Sequence, residues 1–194
     1  MRGRWPPARP SGVRVAPTTA LRFGAVSENE IVVVVGNPQR ASRTTRAATL
    51  VGERLASLID GATVVVEVAD LGPALLSWGD PTVASAKETV LGARALVVAS
   101  PTYKASFTGL VKLFLDQFDA GALTGAPVVP LMTGGSAAHA LAVEHHLRPV
   151  LIEIGASCPT PGLFLFGEQQ DDPEPFVSTW FDAQRAVLAR ALGV

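Results

Sequence analysis

Ile31-Val32-Val33-Val34-Val35 is a run of five apolar, β-branched residues with no polar residue among them. A strand of that kind has no face to turn toward water, so it belongs inside a sheet that is covered on both sides. Further short, largely apolar runs recur at Thr63–Val68, Ala95–Ser100, Pro127–Met132 and Leu163–Phe166. Between and after them lie stretches of helical periodicity, at about Thr44–Leu58, Pro81–Leu91, Phe107–Phe118, Ala138–Ile154 and Pro175–Leu192. Buried strands alternating with helices mean βαβ units, right-handed crossovers and helices on both faces of a parallel sheet. The pattern predicts an α/β three-layer sandwich around a five-stranded parallel sheet of order 2-1-3-4-5.

The chain has 194 residues, enough for one domain with a large core, and it shows no internal repeat or linker. Apolar residues make up 48% and charged residues 17%, which leaves spare apolar surface and predicts a homodimer or homotetramer. A net charge of −1 argues against a nucleic-acid partner. The single cysteine, Cys158, excludes an internal disulfide and a cysteine metal cluster. His139, His145 and His146 lie close in sequence without an H-E-x-x-H spacing, so no metal site is expected. The segment Asp70–Trp78 is an apolar loop with three leucines and a tryptophan. It needs cover from a partner subunit, a ligand or its own domain.

Residues 1–27 differ from the rest. They carry five arginines, four prolines and no acidic residue, which leaves about −6 on the remainder. An aperiodic segment of this composition predicts a disordered arm ahead of one domain over residues 28–194. It resembles an organelle transit peptide only in being poor in acids; an oligomer-binding arm or a misassigned upstream start accounts for it as well. It lacks the apolar stretch of a secretory signal, and no run of 18 apolar residues exists in the chain. The expectation is a cytoplasmic protein that does not span a membrane.

Three strand-to-helix loops carry the chemistry. After the first strand comes Gly36-Asn37-Pro38-Gln39-Arg40-Ala41-Ser42-Arg43-Thr44-Thr45. Its hydroxyls stand at a helix start, where backbone N–H groups lack partners and the helix dipole favours an anion. Arg43 adds a forked cation. The loop has neither G-x-x-x-x-G-K-[ST] nor G-x-G-x-x-G, so it fits the phosphate of a flavin mononucleotide (FMN) better than a nucleoside triphosphate or a dinucleotide. After the third strand, Pro101-Thr102-Tyr103-Lys104-Ala105-Ser106 offers polar donors and an aromatic ring for a flat ring system. After the fourth, Thr133-Gly134-Gly135-Ser136 brings main chain close to a ligand. All three fall at the carboxyl edge of the sheet, where open α/β sheets bind ligands.

These residues resemble the NAD(P)H-dependent FMN reductases of flavodoxin-like fold, over residues 31 to about 170. The family's G-S-P-R-x-x-S-R-[ST] is matched by Gly36–Thr44, with Gln39 where the family has arginine and Arg40 beside it. P-x-Y-[KN]-x-[SA] is matched by Pro101–Ser106, and the following G-x-[LV]-K and L-D by Gly109, Lys112, Leu115 and Asp116. A longer motif beginning T-G-G-[ST] is matched from Thr133 through His139, Leu141, Ala142, Val143, Glu144, Leu147, Arg148 and Pro149 to Leu151. That version is similar to reductases serving sulfonate-degrading two-component monooxygenases, where a position equivalent to Phe107 often holds tyrosine. The resemblance implies FMN and NAD(P)H as cofactors and a flavin-dependent monooxygenase as partner. It puts the phosphate at Ser42, Arg43 and Thr44. It puts the ring at Pro101, Thr102, Tyr103, Lys104, Ser106, Thr133, Gly134, Gly135 and Ser136.

Hydride transfer from nicotinamide to flavin belongs to the cofactors, so no side chain is assigned a catalytic role. Backbone N–H groups at Tyr103–Lys104 and Gly134–Gly135 are expected to stabilise charge on the reduced ring. Two other readings remain: a quinone or azo-dye reductase that keeps FMN as a prosthetic group, and a non-enzymatic flavodoxin-like electron carrier. The weakly charged surface speaks against the carrier.

Overall fold

The computed structural model describes residues 29–194; the expected arm over residues 1–27 lies outside the described residues. The strands are β1 (Glu30–Val35), β2 (Ala62–Glu67), β3 (Ala95–Pro101), β4 (Val128–Gly134) and β5 (Leu163–Phe166). The helices are α1 (Arg43–Ala56), α2 (Pro81–Leu91), α3 (Gly109–Leu115), α4 (Arg148–Glu153) and α5 (Glu174–Leu192). The strands form one sheet in the order β2-β1-β3-β4-β5, and every neighbouring pair is parallel. This is the flavodoxin-like order that the alternation of apolar runs predicts.

β1 explains why both faces are covered. Ile31, Val33 and Val35 point into one core with Ala47, Val51 and Leu55 of α1 and Phe181 and Leu188 of α5. Val32 and Val34 point into the other with Val83 and Val90 of α2 and Val111 and Phe114 of α3. Full burial of each such side chain stabilises the fold by roughly 1.5–3 kcal/mol. Gly36 follows directly and is not a left-handed turn glycine. A Cβ there would lie 2.4 Å from Val111 Cβ, so glycine is required by the close approach of α3. Thr108, rather than Phe107, caps α3: its hydroxyl accepts from the Val111 N–H and donates to the Gly36 carbonyl at 2.5 Å.

Two segments depart from the sequence pattern. The stretch expected as one helix over Ala138–Ile154 is a 3₁₀ turn (Ala137–His139), a π turn (Val143–Leu147) and then α4. Pro149 stands in the first turn of α4 and has no N–H to give to the carbonyl four residues back, so an unbroken α-helical ladder cannot pass it. The apolar loop Asp70–Trp78 coils into a 3₁₀ turn over Gly72–Leu76 after another at Val68–Asp70. Leu71 and Leu75 pack into the domain's own core, whereas Leu76 and Trp78 stay 72% and 76% exposed.

Glu144 in the π turn and Arg148 at the start of α4 form a two-pronged ion pair, with contacts of 2.5 and 3.1 Å. Arg148 also donates to the carbonyls of Cys158 (2.9 Å) and Thr160 (2.5 Å), and Glu144 accepts from the Gly162 N–H at 2.5 Å. The pair thereby ties down the segment that leads into β5. The hydrogen bond from Arg148, opposed by burial and aided by the Gly162 N–H, holds the Glu144 carboxyl below its ordinary value of 4.5. A depressed carboxylate contributes stability above that ordinary value and loses it as pH falls through the lower folded value. Urea midpoints should therefore drop as pH is taken from neutral to below 4.5, and Glu144→Gln should lessen that drop while lowering stability at neutral pH. An equally steep acid loss in the variant would remove Glu144 from the account.

Candidate functional site

The carboxyl ends of β1 and β3 lie side by side while their chains leave toward opposite faces, which opens a crevice between the loops that follow. In the first loop, Asn37 Oδ1 accepts from the Gln39 N–H at 2.9 Å and turns the chain. Ala41 adopts φ +48°, an uncommon backbone for a residue with a Cβ. Its N–H donates to Glu67 Oε1 at 3.2 Å, which holds it there. Ser42 then caps α1: its Oγ accepts from the Thr45 N–H at 3.1 Å, and the Thr45 hydroxyl accepts from the Ser42 N–H at 3.2 Å. Thr45 in turn donates its hydroxyl proton to Glu67 Oε1 at 2.9 Å.

The hydroxyls of this loop mainly hold it together. Thr44 Oγ1 is buried, accepts from Asn37 Nδ2 at 3.2 Å and bonds the buried Thr133 Oγ1 at 2.7 Å. That bond ties the first loop to the fourth strand. The amide N–H groups of Arg43 and Thr44 donate to no acceptor among the described residues. They stand at the first turn of a 14-residue helix, and their residues line a cleft of about 440 Å³. Asn37, Gln39, Ala41, Ser42, Pro101, Thr133 and Gln170 complete the lining, and Arg43 is its one charged residue. Free amides, a helix start and a guanidinium suit an anion of phosphate type.

The ring loop is a tight two-residue turn. Tyr103 N–H donates to the Ser106 carbonyl at 2.8 Å and Ser106 N–H returns the bond at 3.2 Å. Lys104 (φ +51°) and Ala105 (φ +65°) are both left-handed. The expected use of the Tyr103 N–H for a reduced ring therefore fails, because the turn already holds it. The Tyr103 ring is 54% exposed beside the crevice. Pro101 and Thr133 are buried, and the Thr102 N–H donates to the Thr133 carbonyl at 2.6 Å. Thr102 Oγ1 is buried without a partner. A Cβ at Gly134 would meet Phe164 Cζ at 2.7 Å, whereas one at Gly135 would meet nothing. Ser136 caps the 3₁₀ turn by accepting from the Ala138 N–H at 3.2 Å. Beyond it, Ala105, His139, His145 and His146 border a hollow of about 180 Å³. No group able to hold a metal occurs among the described residues.

The structure thus brings the expected residues of all three loops to one edge, and adds others. Glu67 ends β2 level with Val35, and an acid at the carboxyl end of an apolar strand was its signal. Asn37 was visible as an Asn-Pro turn. Gln170, which donates to the Gly134 carbonyl at 2.8 Å, and Asp171 carry no sequence signal, because only the folding-back of the segment after β5 brings them here.

The fold is flavodoxin-like, with unpartnered amides beside an arginine at the first loop and an exposed tyrosine at the third. The family description "NADPH-dependent FMN reductase" matches residues 29–171. The chain is 36% identical over 164 residues to the NADH-dependent FMN reductase SfnF of Pseudomonas putida, covering 81% of this chain and 88% of that one. It is 32% identical to an FMN reductase (NADPH) of Escherichia coli strain K12, over 73% of this chain and 75% of that one. Among solved structures, the apo form of the NADH:FMN oxidoreductase EmoB is similar, at 34% identity and a TM-score of 0.65, over 84% of this chain and 86% of that one. The chain belongs to the NAD(P)H-dependent FMN reductase family.

Glu67 offers a direct test of the cup. Glu67→Ala frees both Ala41 and Thr45, and FMN affinity should fall by about tenfold, or about 1.4 kcal/mol, in a flavin fluorescence titration. Wild-type affinity in that variant would show that the loop keeps its shape unaided.

Proposed function

We propose that this chain is a cytoplasmic reductase that moves hydride from NAD(P)H to FMN and releases the reduced flavin. The observation that carries the reading is the pair of unpartnered amides, Arg43 and Thr44, at the start of α1 beside the Arg43 guanidinium. They would hold the FMN phosphate, with Ser42 Oγ beside them. The ring would then lie along Pro101, Thr102, Tyr103, Lys104 and Ser106 on one side and Thr133, Gly134, Gly135 and Ser136 on the other. FMN, when bound, supplies the ring that accepts hydride.

The chain's own residues bind and orient. The Thr44–Thr133 bond fixes the spacing between the cup and the glycine loop. Gly134 lets that loop lie against Phe164, and the unblocked Gly135 leaves its main chain open to a ligand edge. Thr102 Oγ1, buried without a partner, would offer a hydrogen-bonding group on the ring side of the crevice. The 54% exposure of Tyr103 supports a site open to a second cofactor and to release of the flavin. The motif from Thr133 to Leu151 supports a flavin-dependent monooxygenase as the recipient.

NAD(P)H oxidation by the purified, nearly colourless protein should depend on added FMN and saturate with it. Both NADH and NADPH belong in the assay, since relatives of both descriptions are similar to the chain. A yellow protein that keeps about one FMN per chain and turns over only with a quinone or dye would support the prosthetic-flavin reading instead.

The exposed Leu76, Trp78, Leu141 and Ile152 support self-association through the loops at this edge and α4. Light scattering should give a dimer or tetramer of the 20.2 kDa chain. A monomer at micromolar concentration would reject this.

A further inference from the structure

After β5 the chain makes a 3₁₀ turn over Gly167–Gln170 and folds back across the cup. Gln170 reaches Gly134 and lines the cleft. The next residue, Asp171, places Oδ1 2.8 Å from Arg43 Nη2. Arg46, one turn along α1, donates to the Asp171 carbonyl at 2.9 Å and stands 4.0 Å from the Asp172 carboxylate. The strap is therefore fastened to α1 and to the glycine loop by groups other than the Asp171 carboxylate.

We propose that Asp171 is an internal rival of the flavin phosphate for Arg43, and that it sets how tightly FMN is held. The inference rests on the phosphate placement proposed above. Arg43 is the one charged residue lining the cleft, and a carboxylate oxygen already stands 2.8 Å from one of its two terminal nitrogens. An arriving phosphate must displace that carboxylate or share the guanidinium with it at close range, where two anions repel. Displacement is easy, because Arg43 and Asp171 are 65% and 61% exposed and such pairs are weak. The remaining strap contacts keep Asp171 nearby, ready to return as the phosphate leaves. The chain thus gives up part of the affinity its amides and guanidinium would otherwise provide, which suits a flavin that must come and go. Riboflavin has no phosphate and meets no such rival.

Asp171→Asn removes the charge while leaving the main-chain bonds to Arg46 and Glu168 in place. Titration of wild-type and variant protein with FMN and with riboflavin should show FMN bound about three- to fivefold more tightly in the variant. Riboflavin should stay within about twofold. Stopped-flow dissociation of FMN should slow by a factor similar to the gain in affinity. Asp171→Ser, also neutral, should behave alike. Unchanged or weaker FMN binding in both variants, with wild-type preference for FMN over riboflavin intact, would overturn this inference alone. Equal tightening of both flavins would also overturn it. A wild-type protein that binds FMN and riboflavin equally would overturn the phosphate placement and the inference together.

Discussion

β1 is buried on both faces, and the ligand edge depends on that constraint. Ile31, Val33 and Val35 feed one core while Val32 and Val34 feed the other, so the strand can only lie between two neighbours under two helical layers. Its partners are β2 and β3, and from that position the chain leaves to opposite faces at the carboxyl end. The crevice is a consequence of this arrangement. Gly36 sits at the exit, pressed against Val111, so the first loop begins where helix α3 allows no side chain.

At that edge the residues divide into those that make the frame and those left free for a ligand. Ser42 and Thr45 close the helix cap, and Glu67 holds Ala41 and Thr45 from the neighbouring strand. Thr44 and Thr133 lock two loops together. The amides of Arg43 and Thr44 stay unpartnered among the described residues, and such amides are what a helix start offers an anion. A rigid frame around free amides reduces the ordering that a phosphate must induce on binding. Beside the same helix start, the Asp171 carboxylate stands 2.8 Å from the Arg43 guanidinium.

The two-faced core and the position of all three loops could be read from the sequence, because uninterrupted β-branched runs alternate with helical periodicity, and the strand order came with the flavodoxin-like resemblance. Ser42, Arg43 and Thr44 do stand at the start of α1, as expected. What could not be read was the direction of each hydroxyl. Composition counts Ser42, Thr44 and Thr45 as equal donors, but Thr44 and Thr45 answer to partners at Thr133 and Glu67, far away in the chain. The engagement of the Tyr103 amide is hidden for a similar reason, since the left-handed pair Lys104–Ala105 closes a turn on it without any glycine to announce it. The π turn at Val143–Leu147 runs up to Pro149, whose missing N–H interrupts the α-helical ladder, and periodicity alone reads the region as one helix. Gln170 and Asp171 reach the cup through a loop whose path leaves no local mark.

Recognition of the flavin by its phosphate at the start of α1 is open to a crystal structure of the protein with FMN. Phosphate oxygens are expected within hydrogen-bond distance of the Arg43 and Thr44 amides, with the ring beside Tyr103 and the Gly134–Gly135 loop. A phosphate bound elsewhere, with those two amides facing only solvent, would contradict it.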